Sequence, residues 1–187
     1  MALGIHLEWT PNPNTLKYVL NCPILPSGSF SFSSLEQAKP LSPLAERLLA
    51  VPGLSAVTLG MGFVSVTKGE EGEWVKLNEA VVEVLESHLN AGEAVLTAEG
   101  LQHLKEEAQK DWGEVESRIE AVLEAEIRPA LARDGGGVAL ERFEGGVVYL
   151  HMRGACAGCP SAQMTLKMGI EVRLREAVPE VQEVVAL

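Results

Sequence analysis

The chain has 187 residues, 47% apolar and 22% charged, with 15 lysines and arginines against 26 aspartates and glutamates, a formal charge of -11. That composition is expected of a soluble folded protein of one or two domains whose core needs no disulfide staples. The acidic balance argues against nucleic-acid backbones as partners, and no apolar run approaches the roughly 18 residues of a membrane span.

In chain order, the turn-rich TPNPNT at residues 10–15 leads into a strand over Leu16 to Asn21. Ser42 is a plausible N-cap for a helix from Pro43 to Ala50, with proline at its first position. Strands at Ser55 to Leu59 and Phe63 to Thr67 flank Gly60-Met61-Gly62 as a hairpin, and a helix follows from Leu77 to Leu89. Residues 1–90 therefore read as a first α+β module. Residues 91–113 show no sustained period and are rich in charge; they read as an acidic linker, partly helical.

The second module, residues 114–187, opens with a helical stripe of Val115, Ile119, Val122, Leu123, Ile127 and Leu131 that ends at Asp134-Gly135-Gly136-Gly137. Pro129 should kink its last turn. Strands from Val138 to Phe143 and Val147 to Met152 are joined by Glu144-Gly145-Gly146, a helix runs from near Pro160 to about Ala177, and Val181 to Ala186 closes the chain as a strand. The order is α-β-β-α-β, and the expected fold class is α+β with two small modules. In the last helix Ala162, Leu166, Ile170, Leu174 and Ala177 form one stripe, facing the core. Met164, Met168 and Val172 lie on the other side, either as an exposed contact surface or as the second face of a sandwiched helix.

Charge is unevenly spread. Residues 1–60 carry 3 basic and 3 acidic side chains, residues 61–127 carry 5 and 16, and residues 128–187 carry 7 and 7. The module with the close cysteine pair is thus formally neutral, with Arg153, Lys167, Arg173 and Arg175 around the pair. The acidity of the middle third is expected to keep two modules soluble and extended. The start MALGIHLEWT lacks a basic segment and an apolar signal core, so the expected location is cytoplasmic.

One motif carries chemistry: Cys156-Ala157-Gly158-Cys159-Pro160, between the second strand of the module and its last helix. Two thiols at this spacing reach one metal or form one disulfide, and thiolate is the reactive form for either. A helix start favours anionic sulfur, and the small residues Gly154, Ala155, Ala157 and Gly158 let backbone amides approach a bound cluster. An iron-sulfur cluster takes about four thiolates and structural zinc about four ligands, whereas one module supplies two. A second copy completes the site, or a partner does, or the pair is a dithiol switch.

Other candidates offer less. His151 would leave a zinc site one ligand short, and Cys22 reads as a small apolar side chain. The glycines after Asp134 resemble a phosphate loop but lack its lysine and helix, so they read as turn chemistry. His6, His88 and His103 have no identifiable partners in the sequence, and nothing indicates hydrolysis.

The stretches IRPALARDGGGVAL, RGACAGCPSAQMTLKMGIE and PEVQEVV resemble the C-terminal domain of NifU-like proteins, the Nfu iron-sulfur cluster carriers. The segments TPNPNTLKYVL and PLAERLLAVPGLSAVTLGMGFVSVTK are similar to the Nfu N-terminal domain. The resemblance implies a scaffold that binds a labile cluster, of the 4Fe-4S type, through Cys156 and Cys159 of two subunits. It implies a homodimer when loaded, upstream cluster assembly proteins as donors and apo iron-sulfur proteins as recipients, and no enzymatic turnover. Cys22 does not belong to the family pattern. Two readings stand against it: a dithiol-disulfide oxidoreductase with Cys156 as nucleophile, and a zinc-linked structural dimer. The thioredoxin-like version expects its cysteines near a βαβ unit, whereas here they follow a hairpin.

Overall fold

The computed structural model describes residues 3–108, 110–157 and 160–187, with side chains except at 108, 160–163 and 165. The fold is α+β. A five-stranded antiparallel sheet and a three-stranded mixed sheet each carry helices on one face.

The first sheet is ordered β1 (Ile5–Trp9), β2 (Thr15–Leu20), β5 (Phe63–Lys68), β4 (Leu54–Gly60), β3 (Ser29–Phe32). Alternation sends Leu16, Tyr18, Leu20, Phe30, Phe32, Val57, Leu59, Val64 and Val66 to one face, where all are buried. Helices α1 (Leu35–Leu41), α2 (Pro43–Leu49) and α3 (Trp74–Asn90) cover that face, contributing Ala38, Leu44, Leu48, Val81 and Leu85. Ser42 caps α2 as expected: its Oγ accepts from the Ala45 amide at 3.0 Å.

The same hydroxyl also donates to the Val95 carbonyl at 2.7 Å. Thr97 Oγ1 donates to Pro40 O at 2.7 Å and accepts from the Gly100 amide at 3.0 Å, which starts α4 (Ala98–Ala108). Leu96 and Leu104 are buried in the first core. The stretch read as a linker is therefore in part a piece of the first module.

In the second module α5 (Glu114–Val122) passes through a π-helical turn (Leu123–Ile127) into α6 (Arg128–Arg133). The π turn comes just before Pro129, and is the distortion found where a simple kink was expected. Ile119, Leu123, Ile127 and Leu131 form the predicted buried stripe. It lies against the sheet β6 (Gly136–Glu144), β7 (Val147–Gly154), β8 (Glu183–Ala186), with α7 (Pro160–Ala177) between β7 and β8. Gly145 and Gly146 close the β6–β7 hairpin with φ of +57° and +87°, the left-handed pair of a tight two-residue turn. Along α7, Ile170 and Leu174 are buried while Ala177 is exposed, so Val178 takes the place expected for Ala177.

Candidate functional site

Cys156 follows the end of β7 on a tight turn. The Cys156 amide donates to Arg153 O at 3.3 Å and the Ala157 amide to Gly154 O at 3.0 Å. Gly154 permits this turn with φ +60°; a Cβ there would lie 2.5 Å from Gly135 O. The Ala155 amide closes the other side on Gly135 O at 3.1 Å. The glycines after Asp134 are thus a backbone surface that the Cys156 loop presses against, with Gly135 turning the chain at φ +71°. Cys159 lies outside the described residues.

The Cys156 side chain is 7% exposed and belongs to the second core. Burial pushes its thiol from 9.0 up to about 11; the Asp134 carboxylate pushes the same way, and a hydrogen bond from the Gly137 amide opposes both. The helix start was expected to favour thiolate. α7 begins only at Pro160, and in this state burial outweighs any such help.

The topology also corrects one step of the sequence reading. The cysteine motif does follow a hairpin, but β8 pairs parallel to β7, so the motif opens a βαβ unit. Topology therefore does not argue against a dithiol oxidoreductase. The raised pKa of Cys156 bears equally on ligation and on disulfide chemistry, because thiolate is the reactive form for either.

Above the loop lies the first module. The sheet face turned away from its helices carries Thr15, Lys17, Ser29, Ser31, Thr58, Ser65 and Thr67, which alternation would leave in water. Thr15, Lys17, Thr58 and Ser65 are instead buried. A Cβ on Gly135 would meet Ser65 Oγ at 2.7 Å, and one on Gly137 would meet Ser29 Oγ at 2.8 Å. Small hydroxyl residues thus face glycine backbone across the junction between the modules.

Among the described residues, the side chains of Lys17, Arg153 and Asn12 bind the modules together. Lys17 Nζ donates to Glu8 Oε2 at 2.9 Å and to Arg133 O at 3.0 Å, placing a cation on an open carbonyl at the end of α6. Arg153 donates to Ser29 O at 2.7 Å and pairs with Glu107 of α4. Asn12, 3% exposed, donates through Nδ2 to Ala155 O at 3.3 Å and Ala157 O at 3.2 Å, the carbonyls on either side of Cys156. The sequence showed TPNPNT only as a turn. Its role here is visible only in the tertiary structure.

The cations expected around the cysteines are already paired. Lys167 meets Glu183 at 3.6 Å, Arg175 meets Glu171 at 3.2 Å, and Arg173 binds both Glu126 and Glu176. His151 is exposed on β7, 3.4 Å from Glu141. Cys22 is half-buried beside Pro23 and Met61. His88 does have partners: it is fully buried, with Nδ1 3.3 Å from Arg47 and Nε2 3.1 Å from Ala94 O. His103 lies over Phe30, ring centroids 5.8 Å apart. Met164, Met168 and Val172 are exposed at 67%, 64% and 55%, so α7 is not sandwiched. Among the described residues no group of three His, Cys, Asp or Glu side chains converges as a metal site.

Residues 5–92 match the family model described as scaffold protein Nfu/NifU N terminal, and residues 119–185 match the NifU-like domain. A NifU-like protein of Schizosaccharomyces pombe is 35% identical over 189 residues, 98% of this chain and 72% of that protein. The human protein named NFU1 iron-sulfur cluster scaffold homolog, mitochondrial, is 35% identical over 181 residues, 96% of this chain and 70% of its own length. The chain spans 60% of the Drosophila grimshawi protein of the same name, again at 35% identity. A NifU-like protein of Saccharomyces cerevisiae, solved in solution, aligns with a TM-score of 0.46 and 22% identity over 52% of this chain and 87% of that one. With both modules matched, and with relatives 35% identical along nearly its whole length, the chain belongs to the NifU-like family and carries the Nfu N-terminal domain.

Proposed function

We propose that this chain is an iron-sulfur cluster scaffold that receives a labile cluster and passes it to apo-proteins. The cluster is cargo, held by Cys156 and Cys159 of two subunits. The observation that carries this reading is the ligand count in a chain of this family. Cys156 and Cys159 stand two residues apart in the sequence, so one chain supplies two thiols to a shared ligand. A cluster taking about four thiolates is then completed by a second copy of the same loop.

The donor set suits such cargo: thiolates on a loop of small residues, where sulfides can approach backbone amides. A 4Fe-4S cluster is the form we favour, and a homodimer is its loaded state. Transfer is ligand exchange, a recipient's thiolates replacing Cys156 and Cys159 in turn, so we propose no enzymatic turnover. Upstream assembly proteins supply the cluster. Nucleic acid has no place in this scheme, and no helix among the described residues is long and apolar enough to cross a membrane. A cytoplasmic location belongs to the same proposal, beside relatives named as mitochondrial, and cell fractionation decides it.

The test is anaerobic reconstitution with iron and sulfide, followed by iron, sulfide and zinc analysis per chain. The expected result is thiolate-to-iron absorption, iron and sulfide in equal amount, and a dimer on gel filtration, all lost in Cys156→Ala and Cys159→Ala. Zinc without sulfide in anaerobically purified protein would instead mark a zinc-linked dimer. Absorption that survives both substitutions would end the reading.

A further inference from the structure

Asn12 is a buried polar side chain with every polar atom committed. Its Oδ1 accepts from the Asn14 amide at 3.0 Å, an Asx turn within TPNPNT. Its backbone is held by Thr10, whose Oγ1 donates to Asn12 O at 2.9 Å and accepts from the Asn12 amide at 3.2 Å. With Oδ1 fixed in this way, Nδ2 must face the second module. There it donates to Ala155 O and Ala157 O at 3.3 and 3.2 Å. Flipping the amide would set oxygen against two carbonyls, so the orientation follows from the network.

The thiol of Cys156 is turned inward, into space that a Cβ on Gly136 would share at 2.1 Å. To be shared with a second subunit the sulfur must leave that space, and any accompanying movement of the turn from Ala155 to Ala157 breaks the hydrogen bonds that Asn12 makes. Those two residues supply the carbonyls that Asn12 holds.

We infer that the N-terminal module latches the Cys156 loop shut through Asn12, so that the loop opens for ligand binding only when this latch and the hydroxyl-glycine junction around it release. The latch regulates the proposed cluster site, and it rests on the scaffold reading for its purpose but not for its geometry. In the closed state the outer face of the sheet is occupied by the chain's own Gly135, Gly137 and Gly154. Loading and docking compete for one loop.

The test uses the whole, cluster-free, reduced chain and follows alkylation of Cys156 by iodoacetamide at pH 8, read by peptide mass spectrometry. Asn12→Asp keeps the Oδ acceptor of the turn and replaces the donor with a carboxylate oxygen facing two carbonyls. Alkylation should then rise about tenfold, on the order of one to two neutral hydrogen bonds. A turn-only role for Asn12 would leave the rate unchanged. A lock works in the opposite sense. A Cβ at Gly137 lies 3.7 Å from Ser29 Cβ, within the roughly 3.5–4.5 Å span of disulfides. Oxidised Ser29→Cys/Gly137→Cys should alkylate at Cys156 at least about tenfold more slowly than the wild type, with reduction reversing the effect. A rate within twofold of wild type for Asn12→Asp, or for the oxidised lock, overturns the latch. Uptake of iron and sulfide is the separate arm: Asn12→Asp should load faster to the same final content. Failure of the wild-type chain to load overturns only the scaffold reading, because the alkylation arms need no cluster.

Discussion

Gly136 and the thiol of Cys156 compete for one volume, since a Cβ on Gly136 would sit 2.1 Å from Sγ. No side chain fits there without moving the sulfur. Gly136→Ala should therefore cost roughly 1–3 kcal/mol, the usual range for overpacking a close-fitted core. Urea unfolding measures the loss. Because the sulfur is the movable partner, the same variant should also alkylate faster at Cys156. A variant with wild-type stability and reactivity would mean that the thiol does not rest against Gly136.

Burial sets the pH at which Cys156 becomes reactive. With the thiol pushed up to about 11 from 9.0, its alkylation rate should climb about tenfold per pH unit from pH 8 and level near 11. A profile levelling near pH 9 would show an open thiol. Stability follows with a defined sign. Between pH 9 and 11 the folded chain retains a proton that the unfolded chain releases, so the unfolding free energy falls as pH rises, by up to about 1.4 kcal/mol per unit. Tyr18, raised to about 12 by burial, adds the same trend above pH 10. Cys156→Ala should flatten the lower part of that decline.

The buried stripe from Ile119 to Leu131, the Gly145-Gly146 hairpin and the extent of α7 were legible because each rests on local pattern: a period, a turn chemistry, a proline at a helix start. β3 and α1 were not. Ser29–Phe32 is four residues long, and Leu35–Leu41 spans only about two turns, buries only Ala38 and contains Pro40. Leu104 looked like one apolar residue in a charged stretch because its partners lie on the first module. The larger omission is the junction. Thr58 and Ser65 alternate with Val57, Leu59, Val64 and Val66, which is the signature of a sheet face in water. They are buried because glycines more than 60 positions later lie on them, a relation that no local window contains. Cys156 was legible as a candidate ligand, but its protonation was not, because the carboxylate and packing that raise its pKa come from other elements.

The stripe Met164, Met168 and Val172 offers a test of α7 itself. All three are exposed, so the pair of substitutions Met164→Gln and Met168→Gln should shift stability by no more than about 0.5 kcal/mol. Were α7 sandwiched between two cores, the same change would cost several times that. Thermal unfolding separates the two. Ile170→Ala, on the buried face, should cost about 2–5 kcal/mol by comparison.

The acidity of residues 61–127 was expected to hold the modules apart, yet the structure packs them together through Lys17 and Arg153. Exposed charges are screened beyond about 8 Å at physiological salt, whereas Lys17 is 7% exposed and bound to Arg133 O and Glu8. The short-range contacts therefore decide the shape. Small-angle scattering should give a radius of gyration of about 16 Å, the value for a compact chain of this length, at low and at physiological salt alike. Lys17→Met strands the Arg133 carbonyl, and Arg153→Ala strands Glu107 and the Ser29 carbonyl, each at a cost of about 1–3 kcal/mol. The double variant should swell by several ångströms while each module keeps its circular dichroism. An extended wild-type particle that contracts as salt is added would restore the electrostatic account and remove the junction from solution.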